Sequence, residues 1–579
     1  MFIDIADLLD IKGENRFRIL SYRRAAETIA SLPEQLADTV AQGRDPSEFP
    51  GIGDAISKKI LEALEAGKIT FLEKLKEELP ASLLELLRVR GVGPKAVKAV
   101  YEQLGVTTLD ELQAAAQADR LSALPGFGKR SQEKILEAIR DLRGAMGRFR
   151  LDEALATAEE LTTYLGQVKG IHEMVPAGSL RRRRETVGDV DILVTAGEPE
   201  AVMGRFVAYP GVREVVGRGE TKSSVILASG MQVDARVVPK ESFGSALCYF
   251  TGSKDHNVAL REMAKKKGLK LSEYGLFRLR GDEVGDQAMV AGRTEEEVHK
   301  ALGLAYIPPE LRENRGEVEA ARTGALPHLV EPGDVRADLH VHTSWSDGSA
   351  SVAEMARAAK ALGYRVLAIT DHSKAVRIAG GLDEKRLREQ MAEIKAVRRK
   401  VKGIAILTGV EVDILGDGSL DLPAGLLREL DVVVGAVHSR FEMSREEMTT
   451  RILQALSSGL IDVLAHPTGR LIGTRPPYKM DLEAVFAVAR KHHVAMELNA
   501  HPERLDLADI YLKRAKELGL KVALGTDAHS PGDLGLMRFG VFTARRGWLE
   551  RDDILNTMTP AALRRWLRRR PLRRQDQEG

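Results

Sequence analysis

The chain has 579 residues, 44% of them hydrophobic and 29% charged, which is typical of a soluble globular protein. Since single cores stop growing beyond roughly 250–300 residues, this length predicts several domains. The formal net charge is only +2, so any surface for nucleic acid must be local. One cysteine, Cys248, excludes an intramolecular disulfide. Without a secretory signal or an apolar run of membrane-spanning length, the chain is expected in the cytoplasm, with no membrane partner.

The first 145 residues are predicted to form successive helices with short glycine-containing breaks between them. Three breaks repeat a Gly-x-Gly pattern, and an amphipathic helix with lysines follows each one. Backbone N–H groups at such a helix start suit a DNA phosphate, although a tight helix–helix turn is the structural alternative. The repeat resembles helix-hairpin-helix modules, which implies DNA-backbone contacts without sequence reading. The DNA-binding candidates are Gly51, Gly53, Gly91, Gly93, Gly126 and Gly128.

From about residue 146 a helical segment leads into alternating, strand-like sequence. The predicted elements are a helix at 151–168 and strands at 189–195, 224–229 and 231–238. Asp189 and Asp191 share one face of a strand, and Asp234 repeats the alternation on another strand. Three such carboxylates could hold two Mg²⁺ or Mn²⁺ ions that activate a hydroxyl and stabilise pyrophosphate. Exposed surface aspartates are the alternative.

The arginine run Arg181–Arg184 follows Gly178 and Ser179, whose backbone and hydroxyl suit phosphate oxygens. Taken alone, the run is typical of a solvated basic surface. With the three aspartates, the block resembles the nucleotidyltransferase palm of family X DNA polymerases, and the resemblance covers residues 1–320. It implies catalytic, metal-binding roles for the aspartates, with Asp234 nearest the primer hydroxyl, and places Arg261 against the template strand. The implied nucleotide-binding residues are Gly178, Ser179, Arg182, Gly188, Tyr249, Phe250, Gly252, Ser253 and Asn257.

The family X resemblance also implies an enzyme that fills short gaps during DNA repair. Its substrates would be gapped or primer-template DNA and deoxynucleoside triphosphates. In eukaryotic relatives the first helical module carries a 5′-deoxyribose-phosphate lyase, and the register puts Lys59 at the Schiff-base lysine. Ala55 replaces a second lysine of that pattern. A grip on the 5′-phosphate of a gap is the alternative for this region.

Beyond residue 336, apolar runs alternate largely with helical patterns. Seven candidate strands lie at 337–340, 366–369, 404–407, 432–435, 462–465, 494–497 and 522–525. Such alternation predicts a parallel barrel, whose strand ends meet at one mouth. Six strands end on metal-ligand types of residue, and the two-residue spacing puts His340 with His342, and Asp527 with His529, on common strand faces. The nine candidates are His340, His342, Asp347, His372, Glu411, His438, His466, Asp527 and His529.

Nine imidazole and carboxylate ligands exceed the needs of one ion and suit two or three Mn²⁺ or Zn²⁺ ions. The pattern resembles the polymerase-and-histidinol-phosphatase (PHP) family over residues 336–570. That resemblance implies a seven-stranded barrel, a trinuclear site, a bridging Glu411, and an Asp527 that completes the site of the paired histidines. It further implies a 3′–5′ exonuclease, with AP endonuclease or 3′-phosphatase activity as further options. Scattered structural histidines are the alternative.

The sequence therefore predicts an all-α helix-hairpin-helix region, an α+β palm and thumb, and a seven-stranded, distorted TIM-like β/α barrel. The expected ranges are a DNA-binding domain at 1–80, fingers at 81–145, a palm at 146–250, a thumb at 251–315, a linker at 316–335 and a phosphoesterase at 336–579. A monomer associated with the nucleoid is expected. Two rival interpretations are a phosphatase for a small phosphomonoester and a DNA-binding scaffold with a degenerate palm. The basic segment 562–574 either holds DNA or forms a solvated tail.

Overall fold

The computed structural model divides into two compact units, Met1–Gly147 and Arg148–Gly579. It describes the chain except residues 32–35, 37–39, 41–43, 50, 81, 88, 90–91, 122–123, 125–127, 129–131, 137, 140–147, 281–282, 285–288, 474 and 569–579. Within the described ranges, every helix is too short or too polar to cross a bilayer.

The first unit is helical throughout its described part, as predicted. Its helices are Phe2–Lys12, Arg16–Ser31, Asp54–Ala66, Thr70–Glu78, Leu83–Leu86, Pro94–Leu104 and Leu109–Gln117, with a short 3-10 turn at Pro46–Glu48. Gly53 and Gly93 are the N-caps of the helices that follow them, and Gly67 and Gly105 end those helices in the left-handed conformation. The breaks that end at Gly53 and Gly93 therefore begin helices, as the sequence indicates, while most of the third break lies outside the described residues.

The second unit begins with a five-stranded mixed sheet, which is the predicted palm. In spatial order its strands are Ile171–Pro176, Asp189–Ala196, Gln232–Val237, Lys222–Leu227 and Val212–Arg218. Only the pair formed by Asp189–Ala196 and Gln232–Val237 is parallel. The helices are Leu151–Leu165, Gly178–Arg181 and Pro199–Val207, and a two-stranded ladder joins Phe149–Arg150 to Thr186–Val187. The prediction missed both edge strands, because Ile171–Pro176 is at most half-buried and Val212–Arg218 is mostly exposed, so neither carries a buried apolar run.

The next segment packs four helices and a small antiparallel sheet around a core that includes Leu260, Val298 and Leu311. Its helices are Phe243–Thr251, Lys254–Lys266, Glu295–Ala301 and Glu317–Thr323, with 3-10 turns at Lys240–Ser242 and Pro309–Leu311. Its strands are Leu269–Ser272, Gly275–Arg280 and Glu283–Val284. Residues 249–253, which have the sequence Tyr-Phe-Thr-Gly-Ser and are called the Tyr-Phe-Thr-Gly-Ser motif below, connect helix Phe243–Thr251 to helix Lys254–Lys266. The segment's first 3-10 turn and almost all of its first helix lie in the range predicted for the palm, and the later elements lie in the ranges predicted for the thumb and the linker.

The C-terminal part is the predicted barrel of seven parallel strands in sequence order. The strands are Ala337–Asp338, Val366–Ile369, Ala405–Asp413, Val432–Ala436, Val463–Leu464, Ala495–Asn499 and Val522–Gly525. A parallel bridge between Val341 and Ala528 joins the first strand region to the last. The helices are Val352–Ala361, Glu384–Lys400, Ala424–Glu429, Arg445–Ser457, Leu482–His492, Asp509–Glu517, Met537–Arg546 and Pro560–Leu567, with 3-10 turns at Pro332–Asp334, Arg377–Ala379, Pro531–Leu536, Arg551–Asp553 and Leu555–Thr557.

Candidate metal centres and nucleotide site

The predicted barrel ligands converge at one end of the barrel. Eight of them fall into three overlapping groups whose ligand atoms lie within 4.8 Å of one another: His342, Asp347, His372 and His529; His340, His342 and Asp527; His372, Glu411 and His438. The ninth, His466, joins them because its Nε2 lies 3.0 Å from Glu411 Oε1. Shared members link the three groups, which is the arrangement that several bridged cations need.

Glu411 lies at the centre of the cluster, only 1% exposed. Its Oε2 is 2.8 Å from His372 Nδ1 and 3.4 Å from His340 Nε2, and its Oε1 is 3.2 Å from His438 Nε2. Burial alone would raise the pKa of Glu411, but the surrounding imidazoles hold it well below its usual value. One ionised carboxylate therefore serves several neighbouring ligand groups.

The donor set fits cations. Five buried atoms of the described cluster lie close to other ligand atoms but make no contact with hydrogen-bond geometry: His340 Nε2, His342 Nδ1, His342 Nε2, His372 Nδ1 and Glu411 Oε2. Unpaired buried polar atoms are costly, and imidazole with carboxylate suits Mn²⁺ or Zn²⁺. Although burial acts to lower both values, Glu411 raises the pKa of His372 to about 10 and that of His438 to about 9. A bound cation would compete with protons at these imidazoles, because a metal-binding histidine must be neutral.

Two carboxylates that the sequence interpretation missed contact the Nδ1 atoms of ligand histidines whose Nε2 atoms face Glu411. Glu497 Oε1 lies 2.7 Å from His340 Nδ1, and Glu497 Oε2 accepts a hydrogen bond from the backbone N–H of His466. Asp413 Oδ1 lies 3.1 Å from His438 Nδ1. Such partners fix the ring and tautomer of a metal-binding histidine. Sequence signals existed: Glu497 lies at the end of the one strand without an assigned ligand, and Asp413 shares a strand face with Glu411.

The two-residue spacing correctly predicted that His340 and His342 lie together, but it was wrong for Asp527 and His529. The first strand ends at Asp338 and the last at Gly525, so these ligands lie on the segments that follow the strands. Asp527 has a φ of 57°, and it groups with His340 and His342, whereas His529 groups with Asp347 and His372. The local backbone turn, which a two-residue spacing does not reveal, separates Asp527 from His529.

The three palm aspartates also lie together. Asp191 and Asp234 are register partners on the two parallel strands, and Asp189 begins the strand that carries Asp191. Lys222 Nζ and an Arg236 nitrogen lie 3.9 Å and 3.7 Å from Asp234 Oδ2. Burial, followed by the charges of Asp189 and Asp234, raises the pKa of Asp191 to about 7. Mutually repelling carboxylates on one sheet face are a suitable site for divalent cations.

Gly178 packs directly against this carboxylate cluster. Its φ is +65°, and a Cβ at this position would lie 2.7 Å from Asp191 Oδ2. The preceding Ala177 donates its N–H to the backbone oxygen of Asp191 at 2.8 Å. The close approach and the left-handed backbone therefore both require glycine. The turn of Gly178 and Ser179 is held beside the three aspartates.

The predicted nucleotide-binding segment 249–253 lies near the same turn. Arg181 donates to the Thr251 hydroxyl at 2.9 Å, and Arg182 donates to the Thr251 carbonyl at 2.8 Å. Tyr249 and Phe250 pack edge to face with ring centroids 5.1 Å apart. The arginines thus connect the turn at Gly178 with the Tyr-Phe-Thr-Gly-Ser motif.

The remaining residues of this motif make local contacts. Asn257 Nδ2 donates to the Tyr249 and Gly252 carbonyls at 2.6 and 3.2 Å. Ser253 caps helix Lys254–Lys266 through its hydroxyl, and Arg261 donates to the Asn257 carbonyl at 3.3 Å. These contacts hold the residues in place; their roles toward base and template stay predictions.

The arginine run is neither a solvated surface nor a free phosphate clamp. Arg181 pairs with Glu295 at 2.6 Å, Arg182 pairs with Glu313 at 2.9 Å, and the Arg183 guanidinium covers the Phe542 ring at 4.4 Å. The phosphate contact predicted for Arg182 therefore requires a change of partner. Gly188 lies next to Asp189, and a Cβ there would approach Arg148 at 3.7 Å.

Among the N-terminal candidates, Gly51, Gly53, Gly93 and Gly128 lie in the described part, while Gly91 and Gly126 lie outside it. Gly51 has a φ of +85°. Lys59 is half-buried, donates to the Ala55 carbonyl at 3.2 Å, and has its Nζ 5.5 Å from the Phe71 ring centroid.

The structure combines helices that begin at glycine N-caps, three neighbouring palm carboxylates and a histidine-rich barrel. These features define a multidomain enzyme with two metal-dependent sites for phosphate chemistry. Four family models match the chain. They are "Helix-hairpin-helix domain" at 1–69, "SAM-like Helix-hairpin-helix tandem" at 83–141, "DNA polymerase beta thumb" at 246–313 and "PHP domain" at 338–501.

Curated relatives resemble the whole chain or its parts. "DNA polymerase/3'-5' exonuclease PolX" of Bacillus subtilis (strain 168) is 38% identical over 567 residues, 98% of this chain and 98% of that protein. DNA polymerase lambda of Rattus norvegicus is 27% identical over 53% of this chain and 54% of its own length. A probable phosphatase of Thermoanaerobacter sp. (strain X514) is 31% identical over 38% of this chain and 89% of its length. The chain belongs to the family X DNA polymerases that carry a PHP domain.

Proposed function

We propose that this enzyme is a gap-filling DNA polymerase whose PHP barrel removes nucleotides from 3′ ends. The observation that carries the polymerase activity is the register pairing of Asp191 with Asp234, beside Asp189 and the turn of Gly178. A scaffold with a degenerate palm would lack this set of carboxylates. The relative in Bacillus subtilis bears both activities in its name and matches 98% of this chain.

In the palm, Asp189 and Asp191 would bind two Mg²⁺ or Mn²⁺ ions, and Asp234 would lie nearest the primer 3′-hydroxyl. When bound, the ions supply Lewis acidity for the attacking hydroxyl and the departing pyrophosphate. The protein positions the triphosphate through the backbone of Gly178 and the hydroxyl of Ser179. Proximity of primer and nucleotide then accounts for much of the rate.

In the barrel, Glu411 would bridge two or three Mn²⁺ or Zn²⁺ ions, and the histidines would hold them from the sides. These cations supply an activated water and neutralise the scissile phosphate. Asp347 and His529 are the most exposed of the nine ligands, with side chains 32% and 38% accessible. They therefore mark the side from which a DNA 3′ end reaches the centre.

The proposed partners are gapped or primer-template DNA and deoxynucleoside triphosphates, bound by a monomer in the cytoplasm near the nucleoid. We assign the domain ranges given by the sequence: 1–80, 81–145, 146–250, 251–315, 316–335 and 336–579. The helical unit would grip the 5′-phosphate of a gap. Borohydride trapping of a 5′-deoxyribose-phosphate end, compared with Lys59→Ala, tests whether Lys59 also acts as a lyase.

A cross of two double mutants tests the two-site proposal. Asp189→Ala with Asp191→Ala should abolish extension of a primer across a one-nucleotide gap and leave 3′ nucleotide release intact. His342→Ala with Asp527→Ala should produce the reverse pattern. Joint loss of both activities in either mutant, with the fold intact by circular dichroism, would refute two independent sites.

A phosphatase activity is the second candidate for the barrel, because the PHP-containing part resembles proteins named probable phosphatases. It would release phosphate from 3′-phosphorylated DNA at the same ligands. Comparing hydrolysis of 3′-phosphorylated DNA, single-stranded DNA and a small phosphate ester decides between them. Preference for the small ester would contradict a DNA-directed barrel.

A further inference from the structure

The barrel helix Met537–Arg546 packs on the arginine run of the palm. Phe539, from this helix, is 1% exposed and belongs to the hydrophobic cluster of the palm. Phe542, one turn further, carries the Arg183 guanidinium over its ring at 4.4 Å. The segment that follows the nucleotide-binding turn is therefore in direct contact with the nuclease domain.

Arg546 ends this helix and makes three buried contacts. Its Nη1 donates to the Arg182 carbonyl at 2.7 Å and to Glu313 Oε1 at 3.0 Å, and its Nη2 donates to Asp509 Oδ2 at 2.6 Å. The Arg546 side chain is 4% exposed, and those of Glu313 and Asp509 are 8% and 14% exposed. Charge-assisted bonds with so little access to water hold their geometry firmly.

The Arg182 carbonyl lies at the end of the turn that carries Gly178 and Ser179. Within this turn Arg182 N–H donates to the Gly178 carbonyl at 3.3 Å, and Arg184 N–H donates to the Ser179 carbonyl at 3.0 Å. A bond from Arg546 to this backbone consequently fixes the turn at its C-terminal end.

Glu313 adds a second link between Arg546 and the nucleotide site. Its Oε1 binds Arg182 Nε at 2.9 Å as well as Arg546 Nη1 at 3.0 Å. If Arg182 turns toward a triphosphate, the buried Glu313 keeps a cationic partner. Without Arg546, the same movement would leave this buried carboxylate with Arg184 alone, whose more exposed side chain has its Nη1 3.7 Å from Glu313 Oε1, which is unfavourable.

We propose that Arg546, a residue of the nuclease domain, is a positioning residue for nucleotide binding in the palm. It holds the backbone of the nucleotide-binding turn and allows Arg182 to leave Glu313. The inference rests on the proposed polymerase function. It assigns the barrel a role in synthesis that does not depend on the barrel's own metal centre.

Steady-state gap filling by the full-length Arg546→Met enzyme tests this role. The KM for the deoxynucleoside triphosphate should rise about tenfold with kcat changed less than about threefold, because ground-state positioning is lost. Nuclease activity on single-stranded DNA should stay unchanged. Arg546→Lys, which keeps the charge and loses the fork, should give a smaller rise in KM.

Arg545→Met is the matched control, since Arg545 is its neighbour on the same helix and also pairs with two carboxylates. It binds Glu310 at 2.8 Å and Glu331 at 2.6 Å, and neither contact reaches the turn. Its KM should equal that of the wild type. Equal KM values in all variants, or parallel loss of both activities in Arg546→Met, would overturn the proposal. If Arg546→Met does not fold, the same KM measurement is made on Arg546→Lys and Glu313→Gln, and a raised KM is expected for each.

Primer extension by the wild-type enzyme distinguishes failure of the proposed polymerase function from failure of the role proposed for Arg546. Failure of the wild type to extend a gapped primer would refute the polymerase function itself. Extension by the wild type with an unaltered KM in Arg546→Met would refute only the role of Arg546.

Discussion

At the scale of single residues, the pKa of Asp191 should make Mg²⁺ binding in the palm depend on pH. Burial and the charges of Asp189 and Asp234 raise its pKa to about 7. A proton on Asp191 competes with a cation, and the ionised fraction rises from roughly one tenth at pH 6 to nine tenths at pH 8. We therefore expect the apparent affinity for Mg²⁺ in primer extension to increase about tenfold over this range. Titrations with Mg²⁺ at pH 6, 7 and 8 measure it.

The Asp189→Asn variant provides the check on this pH dependence. It removes one of the charges that raise the pKa of Asp191, so the midpoint of residual Mg²⁺ binding should move to lower pH. Binding is best followed by calorimetry, because extension by this variant is expected to be very slow. A half-saturating Mg²⁺ concentration that does not depend on pH in the wild type would contradict the prediction.

Glu497 is the second residue whose substitution is informative. Glu497→Gln weakens the contact with His340 and loses the charge that supports it, so cation affinity in the barrel should fall by roughly 10–100-fold. Mn²⁺ content after dialysis, measured by mass spectrometry, reports this independently of activity. Glu483→Gln, a change at an exposed carboxylate paired with Arg514, is the control. Unchanged Mn²⁺ retention in Glu497→Gln would show that the carboxylate does not support the site.

At the scale of elements, buried strands were predictable and exposed ones were not. Strand Val366–Ile369 is buried along its whole length, so its apolar run revealed it. Strand Val212–Arg218 is an exposed edge whose pairing depends on its neighbour, which no local pattern records. The sequence identified the barrel ligands because the C-terminal ends of parallel strands meet at one end of a barrel. The turn at Asp527 depends on a positive φ, which the sequence does not indicate.

Replacing two palm glycines by alanine should change the free energy of unfolding in opposite directions. Gly178→Ala places a Cβ 2.7 Å from Asp191 Oδ2 on a left-handed backbone, so unfolding should become easier by about 1–3 kcal/mol and extension should be lost. Gly204 lies within helix Pro199–Val207, and a Cβ there meets nothing within 4 Å. Gly204→Ala should stabilise the protein by about 0.5–1 kcal/mol. Urea denaturation measures both, and a Gly178→Ala enzyme that extends primers normally would contradict this account of the turn.

At the scale of the whole molecule, the order of domains was predictable and their junction was not. The contact between Arg546 and the Arg182 carbonyl joins residues 364 positions apart. In the sequence, Arg182 belongs to a run that is typical of a solvated basic surface, and Arg546 belongs to no motif that predicts a function. Only the packing of the barrel on the palm shows that both are enclosed, because burial of a charged group depends on partners distant in the chain.

The shared core of palm and barrel predicts that they unfold together. Phe486 is 1% exposed in the barrel core, and Phe539 is 1% exposed in the palm cluster although it lies on a barrel helix. Truncating either ring to alanine should cost about 3–5 kcal/mol. Phe486→Ala should lower the inactivation temperatures of polymerase and nuclease equally, because its effect crosses the junction. Phe539→Ala removes part of the junction itself, so the calorimetric transition of residues 148–579 should broaden or split. If Phe486→Ala shifts only the nuclease, the palm is stable without the barrel and the junction is a docking contact.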